Sequence, residues 1–322
     1  MTEPDPTATL LDLHDALLLD LDGVVYVGAQ PVAHAVEALR TVARRGVRTA
    51  YVTNNAARPP AEVAAHLRSF GLDVADSDVV TSAQAGAREV AARVPAGSPV
   101  LAVGGPGVAA ALVARGLRPV RSAADSPAAV LMGYGPDVGM RDLAEASYAV
   151  GAGALFVATN TDTSIPTPRG LAPGNGTLVS AVETTTGVAP LVCGKPFPPL
   201  MTESVERISA SRPLVVGDRL DTDIEAGHAS GIPSLLVLTG VTEVPALLAA
   251  PPHQRPTYVA ADLRGLTHVA VGLAPGAPDD GDPLHRLRLA CRTSWDAADS
   301  GGAAPSYVVE ELTAAVRGVL EA

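Results

Sequence analysis

Asp20 and Asp22 flank Leu21 and are followed by Gly23. A strand alternates its side chains, so two carboxylates spaced this way would point to the same side, and the glycine permits a tight turn after them. One carboxylate could attack an electrophilic phosphorus while the other delivers and removes protons. An acidic turn that merely caps or solvates has the same composition, so the pair needs partners before it means anything.

Three further clusters offer partners. Thr53-Asn54-Asn55 supplies a hydroxyl, carboxamides and main-chain N–H groups, which suit the oxygens of a transferring phosphoryl group; an asparagine-rich turn would look the same. Gly194-Lys195-Pro196 supplies a cation that could neutralise phosphoryl oxygens and hold the nucleophile's carboxylate, or a surface lysine in a turn. In Gly217-Asp218-Arg219-Leu220-Asp221-Thr222-Asp223, Asp218 could bind Mg²⁺ and Asp223 could orient metal-bound water or Lys195, while Asp221 could cap a helix. Rarity sharpens two of these. Lys195 is the single lysine among 23 basic residues, and asparagine occurs only at Asn54, Asn55, Asn160 and Asn175. In a chain whose excess of Ala, Arg, Gly and Pro reflects GC-rich coding, using these residue types points to a chemical reason.

A charge count argues for a metal. Fully ionised, Asp20, Asp22, Asp218 and Asp223 set four negative charges against the one positive charge of Lys195. A phosphate dianion would enter against that excess, each like-charge contact near 4 Å costing about 4 kcal/mol at an effective dielectric of 20. A divalent cation removes most of the excess and bridges the phosphate; protonating Asp22, as a general acid requires, removes the rest.

The clusters can meet only if the intervening elements carry them to one place. Ala16–Leu21 is an apolar run without alternation, which reads as a buried parallel strand. A helix is expected over Val32–Arg45, a strand over Val47–Val52 leading into Thr53, and a helix over Pro59–Phe70. Alternation continues with strands at Val100–Val103, Ala128–Met132 and Ala154–Ala158, and helices at Gly107–Ala114 and Arg141–Val150. The turn-rich stretch TNTDTSIPTPRGLAPGNG reads as a loop. After it come a helix over Leu178–Thr185 and strands at Pro190–Cys193, Pro213–Val216 and Ser234–Leu238. Strict alternation implies a parallel sheet covered by helices on both faces, and ligands of such sheets bind at the carboxyl ends of strands. APGAPDDGDP reads as a linker; beyond it Leu287–Thr293 reads as a strand and Tyr307–Leu320 as an amphipathic helix.

DLDGV, TNN, GKPF and GDRLDTD, in this order, resemble the four motifs of the haloacid dehalogenase (HAD) superfamily. The interval between the second and third motifs resembles that of HAD phosphatases with a C2-type cap. More narrowly, VTSAQAG, GLRPVR, PGNG, PLMTESV and VVGDRLDTDIEAG are similar to segments of actinobacterial glycerol-3-phosphate phosphatases. The likeness spans roughly residues 15–270. It implies an α/β fold, a doubly wound parallel-sheet core of residues 1–82 and 171–270, with an inserted α/β cap over 83–170 and a C-terminal strand-helix extension over 271–322. It implies an enzyme: Asp20 attacks the phosphoryl group, and Asp22 protonates the leaving alcohol and then activates water. Asp20, the Asp22 carbonyl oxygen and Asp218 hold Mg²⁺, with Asp223 behind them. Thr53, Asn54 and Asn55 bind phosphoryl oxygens and Lys195 balances charge. The strip Asn160–Pro166, with Asn160, Asp162 and Ile165, would face the leaving group. An aliphatic Ile165 suits a short polyol or acid better than an aromatic aldehyde. Glycerol 3-phosphate is the expected substrate, with 2-phosphoglycolate or a nucleotide or sugar phosphate as alternatives, and a non-catalytic regulator as the contrasting class. Gly135 stands where the resembled group commonly has aspartate, at a place connected with pairing of two copies through the cap. The tail is similar to the acetyltransferase-like piece of that group but lacks an acetyl-CoA phosphate loop.

Composition excludes other classes. The chain of 322 residues has a formal net charge of -11 and no Lys/Arg-rich run, which argues against nucleic acid as a partner. No apolar stretch approaches the ~20 residues needed to span a bilayer, and the acidic N-terminus lacks a signal peptide's basic flank, so a cytoplasmic protein is expected. Cys193 and Cys291 fit neither a disulfide framework nor a zinc site.

Overall fold

Ala16-Leu17-Leu18-Leu19 contains no polar residue, and all four side chains are buried, as a strand covered on both faces requires. In the computed structural model, which describes residues 7–167, 169–273, 284–302 and 309–321, this strand lies between Pro213–Gly217 and Arg48–Thr53 and parallel to both. The chain divides into two compact units: Met1–Tyr51, Ser69–Asp73 and Val205–Ala322 form the first, Val52–Arg68 and Val74–Ser204 the second.

In the first unit the sheet continues outward from Pro213–Gly217 through Ser234–Val237 to Tyr258–Ala260, every pair parallel. Register is what matters for chemistry. Leu19 sits opposite Val216 on one side and Tyr51 on the other. The Asp20 N–H donates to the Val216 carbonyl at 2.8 Å, extending the ladder by one residue. Asp20 therefore leaves the sheet beside Gly217-Asp218, although almost two hundred residues separate them.

The second unit holds a five-stranded parallel sheet in the order Leu191–Val192, Leu155–Ala158, Ala129–Met132, Pro99–Val103, Arg118–Val120. The helices Met140–Gly151 and Asn175–Thr186 bury Ala146, Ala149, Val150, Val179 and Val182 against one side of it, with Leu101, Val130 and Phe156. The expected α/β class is what the chain forms. VTSAQ acquires a physical meaning here: Thr81 and Gln84 make a capping box, the Gln84 N–H donating to Thr81 Oγ1 at 3.3 Å and the Thr81 N–H to Gln84 Oε1 at 2.9 Å, at the start of the helix Ser82–Ala91.

Two expectations are corrected. Leu287–Thr293 is not a strand but lies inside the helix His285–Asp299. The alternation His285-Arg286-Leu287-Arg288-Leu289 imitates a strand, yet Leu289 is exposed and Arg288 is buried. The buried set Leu287, Ala290, Cys291, Ser294 and Trp295 instead follows the three- and four-residue spacing of a helix. Within TNTDTSIPTPRGLAPGNG, Ser164–Thr167 pairs antiparallel with Gly170–Pro173, Ile165 opposite Ala172. Prolines hid that ribbon, since they are tolerated only where a strand has a free edge. The expected terminal helix is present as Val309–Glu321; Tyr307 and the expected linker APGAPDDGDP lie outside the described residues.

The two C-terminal helices belong to the core of the first unit. Trp295, Leu287, Cys291, Leu312 and Val316 form one cluster with Leu220, Ile224, Leu236 and Val259, and the Trp295 indole N–H donates to the Leu247 carbonyl at 3.1 Å. They thus brace the segment that carries Asp221 and Asp223. Cys193 and Cys291 are free and buried, and burial pushes each thiol up to about 12, which leaves both unreactive at neutral pH.

His14, 7% exposed, sets its Nδ1 3.2 Å from the Arg212 carbonyl and meets the ring of Tyr258 edge-on. Burial lowers its pKa below the ordinary 6.5. The folded state thus resists a proton that the unfolded chain accepts, so this contribution to stability is intact above pH 6.5 and is lost as pH falls through the lower folded value. Each unit of depression is worth about 1.4 kcal/mol. His14→Gln is expected to flatten the fall in melting temperature between pH 7 and 5, measured by circular dichroism at constant ionic strength.

Candidate active site

Asp218 is the residue after the strand Pro213–Gly217, and the first turn beyond it is a π-helix, Leu220–Ile224. That wider turn carries Asp223 back toward the strand. One carboxylate oxygen each of Asp20, Asp218 and Asp223 lies within 4.8 Å of the others. Asp218 and Asp223 are each 1% exposed and Asp20 is half-buried. The Val241 N–H donates to Asp218 Oδ2 at 2.7 Å and the Arg219 N–H to Asp223 Oδ2 at 3.2 Å. Three carboxylates this close repel one another, each pair by about 4 kcal/mol at 4 Å and an effective dielectric of 20. A hard divalent cation that takes oxygen ligands answers both the charge and the donor type, so the residues present fit Mg²⁺.

Backbone closeness makes the cluster possible. A Cβ added at Gly240 would stand 1.9 Å from Asp218 Oδ2, one at Gly23 2.6 Å from the same atom, and one at Gly217 2.2 Å from the Asp223 Cβ. Gly23 also has φ +84, a conformation side chains rarely adopt. Its carbonyl accepts from the Thr239 hydroxyl at 2.6 Å. The loop Thr239-Gly240-Val241 was not singled out from sequence. Its signal was available: it follows a strand, as the four acidic, amide and lysine clusters do.

Asp22 lies on a turn beyond the strand, so strand alternation does not set its direction. The strand ends at Leu19, and a turn winds on the Leu21 carbonyl, which accepts from Val24, Val25 and Tyr26. Leu21 is buried while Asp22 is exposed, so Asp22 stays accessible and its carboxylate is outside the group of three. Asp221 does not cap a helix; its oxygens accept from Arg219 Nε and Nη2 at 3.1 and 2.8 Å.

In the second unit the amide and lysine residues are joined. The Asn54 side chain brackets the main chain of Lys195, its Oδ1 accepting from the Lys195 N–H at 2.8 Å and its Nδ2 donating to the Lys195 carbonyl at 3.0 Å. Lys195 is 4% exposed. Thr53 Oγ1, also buried, accepts from the Asn55 N–H at 3.0 Å, and Asn55 Oδ1 accepts from the Ala57 N–H at 2.9 Å, so Asn55 makes the turn that its type favours. Asp162 Oδ2 lies 3.5 Å from Asn54 Nδ2, and Ile165 is half-buried in the ribbon. The Asn160 side chain is tied inward, to the Asn54 carbonyl at 2.8 Å and the Asp162 N–H at 3.2 Å.

The chain is similar to known enzymes. A family model described as haloacid dehalogenase-like hydrolase matches residues 17–118, and one described as HAD-hydrolase-like matches residues 192–266. D-glycerol 3-phosphate phosphatase of Mycobacterium tuberculosis is 50% identical over 268 residues, 83% of this chain and 75% of its own. The chain belongs to the haloacid dehalogenase-like hydrolases. A crystal structure of glycerol phosphate phosphatase from M. tuberculosis in complex with magnesium superposes with a TM-score of 0.85 at 43% identity, covering 97% of this chain and 98% of that one. A p-nitrophenyl phosphatase from Archaeoglobus fulgidus superposes with a TM-score of 0.73 at 30% identity, covering 79% and 98%. The haloacid dehalogenase-like fold explains the arrangement above: a central strand delivers one aspartate, its neighbour in the sheet a second, and the widened turn a third.

Proposed function

We propose that this chain is a Mg²⁺-dependent phosphatase that hydrolyses glycerol 3-phosphate through an aspartyl-phosphate intermediate. The observation that carries the reading is the meeting of Asp20, Asp218 and Asp223 within 4.8 Å at the carboxyl ends of neighbouring strands, in a chain 50% identical to a D-glycerol 3-phosphate phosphatase. Asp20 attacks phosphorus; the bond from phosphorus to the glycerol oxygen breaks, and that oxygen takes its proton from Asp22. Asp22 then accepts a proton from water as the water attacks the aspartyl phosphate, which restores the Asp20 carboxylate and releases inorganic phosphate. Exposure of Asp22 suits a group that must exchange protons with solvent. Asp20, the Asp22 carbonyl oxygen and Asp218 would hold Mg²⁺, with Asp223 orienting them; the ion supplies charge neutralisation. Thr53 accepts from Asn55, which directs its own hydroxyl hydrogen elsewhere. That hydrogen, the main-chain N–H of Asn54 and the Lys195 ammonium bind the phosphoryl oxygens.

In the same reading residues 1–82 and 171–270 are the core, 83–170 the cap and 271–322 an extension. The strip Asn160–Pro166 sets specificity, with Asn160 anchoring it and Asp162 and Ile165 facing the leaving group. Pairing of two copies through the cap is supported by Met140 and Tyr148, 80% and 65% exposed on one helix; the mass in solution checks it. The protein works in the cytoplasm on a small phosphate ester; among the described residues no helix is long and apolar enough to cross a membrane.

Phosphate release from glycerol 3-phosphate, 2-phosphoglycolate, a nucleoside monophosphate and a sugar phosphate tests the reading, scored by kcat/KM. The panel matters because relatives 38% identical are named acid sugar phosphatase and 5'-nucleotidase. Chelation with EDTA is expected to lower turnover about 1,000-fold or more, and added Mg²⁺ to restore it. Full activity in EDTA excludes the mechanism; a higher kcat/KM for another ester reassigns the substrate.

A further inference from the structure

The chain's four asparagines all lie in the second unit, and three are linked in a line that ends at Lys195. Asn175, 1% exposed, donates through Nδ2 to the Asn160 carbonyl at 2.8 Å and the Met132 carbonyl at 3.3 Å. Asn160, 3% exposed, donates through Nδ2 to the Asn54 carbonyl at 2.8 Å. The Ser82 hydroxyl donates to the same carbonyl at 2.6 Å. Asn54 in turn holds both the N–H and the carbonyl of Lys195. Close backbone approach permits each link. A Cβ at Gly176 would lie 2.1 Å from the Thr161 carbonyl oxygen, and one at Gly194 would lie 2.6 Å from Asn54 Oδ1.

We propose that Asn160 and Asn175 are positioning residues for the phosphate-binding groups, acting through Asn54 on Thr53 and Lys195; this rests on the reading of those groups given above. Anchoring the Asn54 carbonyl fixes the peptide plane whose other end is the Asn55 N–H. That N–H orients the Thr53 hydroxyl. The Asn54 side chain carries the same constraint to the residue from which the lysine side chain starts. Buried carboxamides suit this task because each carries two donors and two acceptor lone pairs in one rigid plane. A carboxylate in their place would face carbonyl oxygens at 2.8 Å. Since the line acts on the phosphate end, losing its hold on the Asn54 carbonyl must weaken all phosphate esters alike.

Asn160→Ala is expected to lower kcat/KM about 10- to 100-fold, the range for a misplacement of about 1 Å in catalytic groups. In Ser82→Ala, which loses a donor to the Asn54 carbonyl but leaves the bond from the Asp162 N–H to Asn160 untouched, the factor should be the same for glycerol 3-phosphate and p-nitrophenyl phosphate, whose leaving groups differ. The inhibition constant of inorganic phosphate should rise in step. Asn175→Ala should act less strongly and add little in the Asn160→Ala background, because both sit on one line. In hydrogen–deuterium exchange, protection of the Lys195 amide should fall in Asn160→Ala. Should that variant fail to fold, Ser82→Ala removes the other donor to the same carbonyl and carries the same expectations. The proposal is overturned by kcat/KM within twofold of wild type, by unequal factors for the two esters in Ser82→Ala with unchanged phosphate inhibition, or by unaltered Lys195 protection. A wild-type enzyme that releases no phosphate overturns the phosphatase reading instead, and the exchange measurement then decides the positioning question alone.

Discussion

Asparagine in place of Asp20 abolishes phosphate release while leaving the protein folded. The side chain changes by one atom type and not in size, and the main chain at this position is held by the bond from its N–H to the Val216 carbonyl, which the substitution does not touch. What is lost is a nucleophile, since a carboxamide oxygen cannot form the acyl phosphate. One member of a cluster of three carboxylates also loses its charge, which weakens the cation's hold. Both effects act on turnover and neither on the core: Leu17, Leu18 and Leu19 remain fully buried. Removing an essential nucleophile costs about 10⁴- to 10⁶-fold in kcat. The measurement is phosphate release at saturating Mg²⁺ alongside a thermal melt. Release within tenfold of wild type, from protein with an unchanged melting transition, excludes Asp20 as the attacking group.

How far the sequence leads can be judged from particular residues. The strand Ala16–Leu19 was legible because a run without polar residues has few alternatives, and the alternation after it fixed the α/β class. Asp20, Asp218 and Asp223 were legible as a group because strand ends share one edge of a parallel sheet. The ribbon at Ile165 was hidden by prolines, and the helix at Leu287 by a misleading alternation. In both cases a local pattern was overruled by what packed against it. The side-chain duties of Asn54 and Asn160 could not be read at all. Each is a carboxamide that serves equally on a ligand or on a main chain, and only the position of the Lys195 peptide group and of the Asn54 carbonyl decides which. Rarity marked them as purposeful without saying what the purpose is. Gly240 follows a strand, which marks its loop as a candidate, but its closeness to Asp218 was hidden for a simpler reason. One glycine among 31 says nothing of a close approach until the distance to its neighbour is known.

That distance makes Gly240→Ala the second large effect. The added methyl would sit 1.9 Å from Asp218 Oδ2, 2.5 Å from its Cγ and 2.7 Å from its Cβ, so it collides with the whole short side chain and not with the end of a flexible one. Asp218 has nowhere simple to go: it is 1% exposed, and its Oδ2 accepts from the Val241 N–H at 2.7 Å. Either the loop from Thr239 to Val241 retreats or the carboxylate turns. In both cases that hydrogen bond breaks and an oxygen leaves the cluster with Asp20 and Asp223. Loss of a group that orients a metal-binding residue typically costs about 10- to 100-fold in metal affinity or activity, so the Mg²⁺ concentration for half-maximal turnover should rise by that factor. Stability should fall by about 1–3 kcal/mol, as for other overpacked sites. Gly151→Ala, at the end of the helix Met140–Gly151 where an added Cβ meets nothing within 4 Å, serves as the control and should leave both quantities unchanged. Titration of activity with Mg²⁺ separates the outcomes. If Gly240→Ala has the metal requirement of wild type, Asp218 tolerates displacement and is not a ligand whose position governs the reaction.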